Sequence, residues 1–348
     1  MTGKARFRAG GGTFGARSRL VRFRLLFAVP IFALAACAGT EVSNIGSGSP
    51  TPSATPTAVP TPTALIISVL DVGQGASTLI QGPEKSLLVD AGDEAAGSIV
   101  LTALANRHLV ALDYVVATHP HADHLGGLDE VLHVWPVSGG VFDNGETLST
   151  VAYTNYASAA SGAPGGRHTM TIGQVLDLGQ GATATCVAVN GTIADGTQFA
   201  TTDPNDKSVA LLVEWGDFRF FVGGDLGGGG PGAADLETPL APLIGDVDVI
   251  QVNHHGSDTS TNSAWLNALV PEVAIISDGD GNTYGHPDPV VLARLTGTDS
   301  TVHIPPPDLF LTEKGAAPSG FNGAGDVRIV AYPTTYTIAG KTYDATLR

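Results

Sequence analysis

The sequence predicts an α/β fold, a sandwich of mixed β-sheets with helices. Three observations carry this prediction: short runs of Val, Ile and Leu recur, helical patterns alternate with them, and Gly or Pro separates the segments. Interleaved strands and helices of this kind are typical of sheets that are covered by helices. The 348 residues, of which 43% are hydrophobic, are enough to bury a sizeable core.

The predicted elements follow one another from residue 64 onwards. Strand patterns occupy residues 65–70, 77–81, 86–89, 112–117, 174–178, 182–189, 208–215, 217–222, 247–252 and 273–277. Helical patterns occupy residues 96–107, 125–133, 233–240, 262–269 and 289–295. Gly216 and Asp217 lie between two strands as a hairpin turn would. Residues 144–170 are rich in Gly, Ala, Ser and Thr, so we expect a long insertion or loop there.

The first 63 residues are predicted to be a signal peptide and a tether, ahead of one folded domain at residues 64–348. Residues 1–36 carry seven Lys or Arg and no acid, and a short apolar stretch in them ends in small residues. Leu34-Ala35-Ala36-Cys37 resembles the bacterial lipobox, in which the cysteine is lipidated. An ordinary signal peptide or an uncleaved anchor is the alternative. Residues 37–63, rich in Pro, Thr, Ser and Gly, are expected to form an extended tether.

The acidity of the chain limits what it binds. The formal charge is 17 − 33 = −16, and removal of residues 1–36 leaves 10 − 33 = −23. Such a balance disfavours a protein that coats nucleic acid through phosphate neutralisation.

The number of cysteines also excludes some classes of protein. Two cysteines exclude a disulfide-rich scaffold and a four-cysteine zinc module. Cys37 is expected to carry the lipid, and Cys186 to be a small buried hydrophobic residue.

The strongest chemical signal is a histidine-rich segment that follows a predicted strand and precedes a predicted helix. It contains four potential metal ligands within six residues: His119, His121, Asp123 and His124. The first two can bind one ion and the last two a neighbouring ion. Imidazole and carboxylate groups suit Zn, Mn, Fe or Co. Three of the ten histidines fall within these six residues, which argues against a coincidental polar loop.

This segment resembles the His-X-His-X-Asp-His signature of the metallo-β-lactamase fold superfamily. Other segments resemble the branch that contains the C-terminal domain of ComEC-type competence proteins: LDVGQG at 70–75, LLVDAG at 87–92, NDKS at 205–208, GGD at 223–225, HHGS at 254–257 and YGHP at 284–287. The resemblance covers about residues 65 to 300. It implies an αββα sandwich, with two mixed β-sheets flanked by helices.

The resemblance also implies roles for further side chains. Asp225 matches the acid that bridges two metals, and His254 or His255 supplies the last histidine of the second metal. Asp90 is expected to accept a hydrogen bond from a ligand histidine and so to orient it. Asp71 matches an acid near the site, but a turn-capping aspartate before a glycine is an equal reading.

One departure from the superfamily pattern concerns the metal. Most superfamily hydrolases have a further histidine between the first motif and the bridging acid, whereas residues 202–208 of this chain contain none. Asn205 and Ser208 lie in this region. The ComEC-like branch shares the replacement of the histidine. Fewer imidazoles make a more oxygen-rich site, so we expect two divalent ions, Zn²⁺ or Mn²⁺, with a single tightly bound ion as the alternative.

The expected activity is hydrolysis of a phosphodiester, in a small molecule or a nucleic acid, by a metal-bound hydroxide. Asp123 would hold metal and orient the water. His286 would donate a proton or a hydrogen bond to the substrate, unless it only packs in its loop. Ser257 would contact an anion, unless it is an ordinary helix cap.

Two other functions compete with this expectation. One is hydrolysis of a lactone, thioester or β-lactam at the same site, and the other is a non-catalytic metal-binding surface protein. A lipid on Cys37 would anchor the protein to the outer side of the bacterial cell membrane. Nothing in the sequence identifies a protein partner.

Overall fold

Two mixed β-sheets packed face to face form the centre of the fold. The computed structural model describes residues 63–345; the predicted signal peptide, Cys37 and nearly all of the predicted tether lie outside this range. The strands are β1 (Leu65–Val69), β2 (Thr78–Gln81), β3 (Ser86–Val89), β4 (Leu112–Val116), β5 (Val137–Asp143), β6 (Arg167–Thr169), β7 (Val175–Gly179), β8 (Ala182–Val189), β9 (Thr192–Ile193), β10 (Ala210–Trp215), β11 (Phe218–Val222), β12 (Val249–Gln251), β13 (Val273–Ile276), β14 (Leu309–Leu311), β15 (Val327–Tyr332), β16 (Thr335–Ile338) and β17 (Lys341–Asp344).

The strand order places the carboxyl ends of several parallel strands at one edge. The first sheet runs β17-β16-β15-β1-β2-β3-β4-β5-β6, and the second runs β14-β13-β12-β11-β10-β8-β7, with β9 beside β8. Strands β3 to β6 are parallel, and so are β11 to β14. Loops that follow these strands therefore meet at one edge of the sandwich, where ligands bind in α/β folds.

Helices cover the outer faces of both sheets. They are α1 (Gly97–Asn106), α2 (Ala122–Leu125), α3 (Leu128–Val134), α4 (Val151–Gly162), α5 (Glu237–Ile244), α6 (Ser263–Leu269) and α7 (Pro289–Leu295). Helices α1, α3 and α4 pack on the first sheet, and α5 to α7 on the second. A third apolar core, which includes Ile67 and Phe220, fills the space between the sheets. The predicted αββα sandwich is confirmed, and none of the described helices has the length and apolar character needed to cross a membrane.

Residues 144–170 are the clearest error of the sequence prediction, because they form α4 and β6 instead of a loop. The Thr150 hydroxyl accepts a hydrogen bond from the Tyr153 backbone N–H at 3.2 Å and so caps the start of α4. Tyr153, Tyr156 and Ala160 are buried. The helix is mostly Ala, Ser and Thr, so its two tyrosines give only a weak helical pattern of apolar residues.

The predicted helix 125–133 is also wrong at its start, because α2 and α3 are separated at Gly126 and Gly127. A Cβ at Gly127 would lie 2.4 Å from the Ala91 carbonyl oxygen, so only glycine allows this approach.

Strands β5 and β14 to β17 were not predicted, whereas α7 begins and ends where its pattern indicated. Its start is fixed by Asp288, whose carboxylate accepts from the Val290 N–H at 2.8 Å.

Candidate metal centre

The site-forming residues lie in four loops, each of which follows a strand. Asp90 follows β3, the histidine-rich segment follows β4, Asp225 follows β11, and the His254–His255 pair follows β12. Because these strands run parallel within their sheets, their carboxyl ends converge and bring residues that are distant in sequence together.

His119, His121 and Asp225 form a first ligand group, in which one atom of each side chain lies within 4.8 Å of the others. The His119 Nε2 atom is 3.0 Å from His121 Nδ1 and 3.7 Å from Asp225 Oδ2. A tetrahedral ion with bonds of about 2.1 Å holds its ligand atoms about 3.4 Å apart. The spacing in this group therefore fits a metal ion.

Asp123, His124 and His255 form a second ligand group with similar spacing. The His124 Nε2 atom is 3.2 Å from His255 Nε2, which lies 3.6 Å from Asp123 Oδ2. Two unprotonated imidazole nitrogens this close repel each other unless a cation or a proton lies between them. A metal cation bound between these nitrogens would remove the repulsion.

Asp225 lies between the two groups, with one carboxylate oxygen toward each. Its Oδ2 atom faces His119, and its Oδ1 atom is 3.1 Å from His124 Nε2. The residue is only 3% exposed, and Oδ1 accepts no hydrogen bond from the described residues. A buried carboxylate oxygen of this kind is a suitable ligand for a divalent ion.

The electrostatics of the groups also suit a metal. Burial and the positive charge of His124 lower the pKa of His119 well below its usual value, so this ring is neutral and one of its nitrogens is available to a metal. For Asp225, burial raises the pKa, but the surrounding histidines, with His124 first, outweigh it and keep the carboxyl ionised. Burial likewise raises the pKa of Asp123, and His255 and His124 more than reverse this.

The position of His124 is fixed by Asp90. The Asp90 Oδ2 atom lies 2.8 Å from His124 Nδ1 and accepts the Thr118 hydroxyl at 2.7 Å. Burial lowers the pKa of His124, but Asp225 and Asp90 raise it well above its usual value. A proton and a metal ion compete for this ring, so metal binding releases a proton.

Asn205 and Ser208 lie where the superfamily pattern has its further histidine. The Ser208 hydroxyl is 3.3 Å from His119 Nδ1 and accepts the Asp225 backbone N–H at 3.1 Å. The Asn205 side-chain nitrogen is 3.5 Å from His254 Nε2. Ser208 therefore orients ligand residues of the first group, and Asn205 faces the cavity beside it.

His254 and His255 point to different oxygens of Asp225. The buried His255 has its Nδ1 atom 2.7 Å from the Ser277 carbonyl, which leaves Nε2 to the second ligand group. His254 has its Nδ1 atom 2.8 Å from the Thr259 hydroxyl, and its Nε2 atom is 3.5 Å from Asp225 Oδ2. Only His255 belongs to one of the two groups of closely spaced ligand atoms in residues 63–345.

Two candidates from the sequence, Asp71 and Ser257, belong to neither ligand group. The Asp71 carboxylate accepts the Gly73 N–H at 3.3 Å, so Asp71 caps its turn. The Ser257 hydroxyl lies 2.9 Å from Thr259 Oγ1 and supports the residue that holds His254. It does not cap α6, because Asn262 does so by accepting the Trp265 N–H.

The ligand groups open into a cavity of about 530 Å³. His286 lines it, with a ring nearly parallel to that of His255 at a centroid separation of 6.4 Å. Burial, followed by His255 and His254, lowers the pKa of His286 to about 4, so this ring is neutral at neutral pH. Sequence reasoning missed Gln74, Asp93 and Tyr284, which also line the cavity.

Glu237 is a further residue that sequence reasoning missed. It is fully buried in α5, and its carboxylate accepts the Asn253 side-chain N–H at 2.7 Å and the Thr261 backbone N–H at 2.6 Å. Burial raises its pKa to about 7, against the effect of these hydrogen bonds. An acid at the start of a helix is common, so the sequence carried no signal for this contact.

The αββα sandwich and the two ligand groups at its edge define a fold class of metal-dependent hydrolases. The family model described as the metallo-beta-lactamase superfamily matches residues 70–277. The chain belongs to this superfamily, whose members are generally metal-dependent hydrolases that bind divalent ions.

Two similar proteins are named for recombination and for competence. The chain is 29% identical to "Recombination protein 2" of Haemophilus influenzae over 248 residues, which cover 68% of this chain and 27% of that protein. It is 30% identical to "Competence protein ComA" of Neisseria gonorrhoeae, over 66% of this chain and 29% of that protein. The match thus spans less than a third of either relative.

Among solved structures, Zn²⁺-bound PqqB from Methylobacterium extorquens is similar to this chain. The TM-score is 0.44 and the identity 16%, over 66% of this chain and 86% of that one. The metallo-β-lactamase fold protein YhfI from Bacillus subtilis has a TM-score of 0.43 and an identity of 12%, over 72% and 98% of the two chains.

Proposed function

We propose that the protein is a phosphodiesterase of nuclease type, in which the two ligand groups hold two divalent ions, Zn²⁺ or Mn²⁺. The observation that carries the proposal is the position of Asp225 between the two groups at an open cavity. Paired ions near a shared carboxylate are typical of phosphatases and nucleases. When bound, such ions polarise a phosphoryl oxygen and lower the pKa of water.

Asp123 and His286 are the side chains that would act on the substrate. The Asp123 side chain is 30% exposed and lines the cavity, so its carboxylate can accept a hydrogen bond from the attacking water. His286 lines the same cavity. Its Nδ1 atom is buried without a hydrogen-bond partner among the described residues, so Nε2 is the nitrogen that can face a substrate. A neutral imidazole can donate a hydrogen bond to a phosphoryl oxygen or to the leaving group.

The names of the relatives support a nucleic-acid substrate. Recombination and competence both concern DNA. Five of the six segments that resemble ComEC-type proteins lie within residues 70–277, which the family model matches. The absence of a third imidazole from the first group supports Mn²⁺ as well as Zn²⁺, because Ser208 and Asn205 occupy the region of the further histidine.

Metal analysis of the purified protein, combined with His121→Ala, tests this function. We expect about two ions in the wild-type protein, about one in the variant, and loss of bis(p-nitrophenyl) phosphate hydrolysis in the variant. His133→Ala is the matched control, because His133 is exposed and its ring contacts only a backbone carbonyl of its own helix, that of Asp129. It should keep both the ions and the activity.

Several outcomes contradict the proposal. Unchanged metal content in His121→Ala would show that the ligand groups are misplaced. Turnover of nitrocefin or an acyl-homoserine lactone without diester hydrolysis would favour the lactam or lactone reading. Bound metal without turnover of any ester would favour a non-catalytic surface protein.

The proposal includes a lipid anchor at Cys37, which supports an extracytoplasmic location on the cell membrane. The basic start, the short apolar stretch and the lipobox-like sequence before Cys37 support it, and all lie outside the described residues. We expect the wild-type protein in the membrane fraction and Cys37→Ser in the soluble fraction. Incorporation of a labelled fatty acid into the wild type alone would support lipidation, and equal fractionation of both proteins would contradict it.

A further inference from the structure

We propose that Tyr284 provides a stacking site for an unpaired nucleobase beside the metal centre. The substrate is then a short or single-stranded phosphodiester that is recognised through a base. This inference rests on the proposed phosphodiesterase function and adds to it the class of substrate.

Tyr284 is a large aromatic residue that faces solvent at the rim of the cavity. It is 69% exposed and lines the cavity that contains the ligand groups. Tyrosine usually buries most of its ring, so this exposure stands out in a well-packed fold. The Tyr284 ring lies 5.6 Å from that of His286, at an interplanar angle of 22°. This contact holds the ring while leaving most of its surface accessible.

The three rings of Tyr284, His286 and His255 form a near-parallel series that leads from the rim to the second ligand group. The His286 and His255 rings are inclined by only 18°, and His255 contributes its Nε2 atom to that group. A nucleotide whose phosphate lies at the ligand groups can therefore direct its base toward the Tyr284 ring. Aromatic side chains bind bases by stacking with little sequence preference.

The charge of the cavity favours recognition through the base over recognition through the backbone. Its charged lining residues are Asp93, Asp123 and Asp225, and none of the described residues that line it is Lys or Arg. Proteins that hold long nucleic acids use several Lys or Arg contacts to phosphates. Ions held by the ligand groups would neutralise the reacting phosphate. Further affinity for the substrate would then come from stacking of a base.

A stacking site at this position selects unpaired bases. In a duplex each base is paired and covered by its neighbours, so a ring such as that of Tyr284 reaches a base only after unstacking. The site therefore favours dinucleotides, strand ends and single strands over duplex DNA.

Tyr284→Leu and Tyr284→Phe in the full-length protein test the stacking site. The first removes the aromatic ring at similar volume, and the second keeps it. With metal-loaded protein, we expect Leu to weaken binding of a phosphorothioate dinucleotide that contains 2-aminopurine by roughly 5- to 100-fold. Quenching of its fluorescence reports the stacked base directly. Tyr284→Phe and the distant control Val110→Ala, an 87% exposed apolar residue, should bind like wild type.

Hydrolysis separates this inference from the proposed function. The wild type should cleave a thymidine dinucleotide faster, in kcat/KM, than the same backbone with abasic sugars, and Tyr284→Leu should lose this preference. If the wild type cleaves neither these substrates nor bis(p-nitrophenyl) phosphate, the proposed function fails. If it cleaves diesters and Tyr284→Leu keeps both the base preference and the quenching, the stacking site is overturned and the function stands.

Discussion

Asp278 is a buried acid that the candidate site does not use. It is fully buried after β13, and neither of its carboxylate oxygens accepts a hydrogen bond from the described residues. Burial raises its pKa to about 8; His255 lowers it, whereas the neighbouring acids Asp280 and Glu313 raise it. The folded protein therefore keeps a proton on Asp278 at pH values where the unfolded chain, with a value of 3.8, has lost it.

This difference predicts a pH-dependent stability. The contribution of Asp278 to the free energy of unfolding should be most favourable below about pH 4. It should fall as the pH rises toward 8, because the unfolded state releases the proton first. Asp278→Asn removes the acid at nearly constant volume. It should raise the free energy of unfolding at pH 8, by about 1–3 kcal/mol, and change it much less near pH 4.

Thermal unfolding of the apo protein at the two pH values measures this effect. Asp217→Asn is the control, since Asp217 is an exposed acid in the turn between β10 and β11. Its effect on the free energy of unfolding should be the same at pH 4 and pH 8. An equal response of Asp278→Asn at pH 4 and pH 8 would show that the carboxyl is not held protonated in the fold.

At the residue scale, the sequence was informative where chemistry is concentrated in a short segment. The spacing of His119, His121, Asp123 and His124 predicted two ligand pairs. The structure has the same two pairs and adds Asp225 to the first and His255 to the second. Asp278 sits in a stretch of Asp, Gly and Asn that reads as a turn. Whether an acid in a turn is exposed depends on chain segments that pack over it, such as Gly315, and no local pattern contains that information.

At the scale of elements, α5 and the loop after β12 depend on each other through Glu237. This carboxylate accepts N–H groups from Asn253, Thr261 and Asn262, on both sides of the histidine pair. His254 and His255 have φ angles of 51° and 53°, a left-handed conformation that is costly for non-glycine residues. The Glu237 hydrogen bonds stabilise the loop that keeps both histidines in this conformation.

Glu237→Gln should therefore weaken metal binding in the second ligand group. The glutamine amide replaces one acceptor oxygen by a donor, so a buried N–H loses its partner at a cost of about 1–3 kcal/mol. We expect the affinity for one ion to fall and that for the other to change little, as measured by metal titration. Glu214→Gln, which breaks the more exposed ion pair with Arg219, is the control and should leave both affinities unchanged. Equal weakening of both ions would indicate a general loss of folding.

The elements also show where local patterns fail. Helix α7 was predicted at its observed bounds because Asp288 and Pro289 mark its start and apolar residues follow at helical spacing. Helix α4 was missed because its contacts with α3 come from small residues and two tyrosines. Strand β15 pairs with β1 across more than 250 residues of sequence, and β16 and β17 extend the sheet from β15. Such long-range pairing is set by tertiary contacts.

At the scale of the whole molecule, the distribution of charge determines how the protein would bind nucleic acid. Residues 63–345 contain nine Lys or Arg, and six of them form ion pairs with carboxylates: Lys85, Arg107, Arg167, Lys207, Arg219 and Lys341. Arg294 donates to the backbone carbonyls of Ser260 and Thr261. Lys207, Arg219 and Arg294 are therefore engaged within the fold.

This pattern predicts a weak dependence of substrate binding on salt. A protein that neutralises six to ten phosphates loses roughly 10³- to 10⁵-fold in affinity between 50 and 200 mM salt. Since the contacts that we propose are limited to the ions and a stacked base, KM for a single-stranded oligonucleotide should rise less than about tenfold over the same range. Steady-state kinetics with strands of 4 and 40 nucleotides at both salt concentrations would measure the change in KM. We expect similar KM values for the two lengths when the concentration is expressed as strand ends. A steep rise of KM with salt for the longer strand alone would instead reveal a backbone groove outside the cavity, because only contacts to distant phosphates would add counterion release.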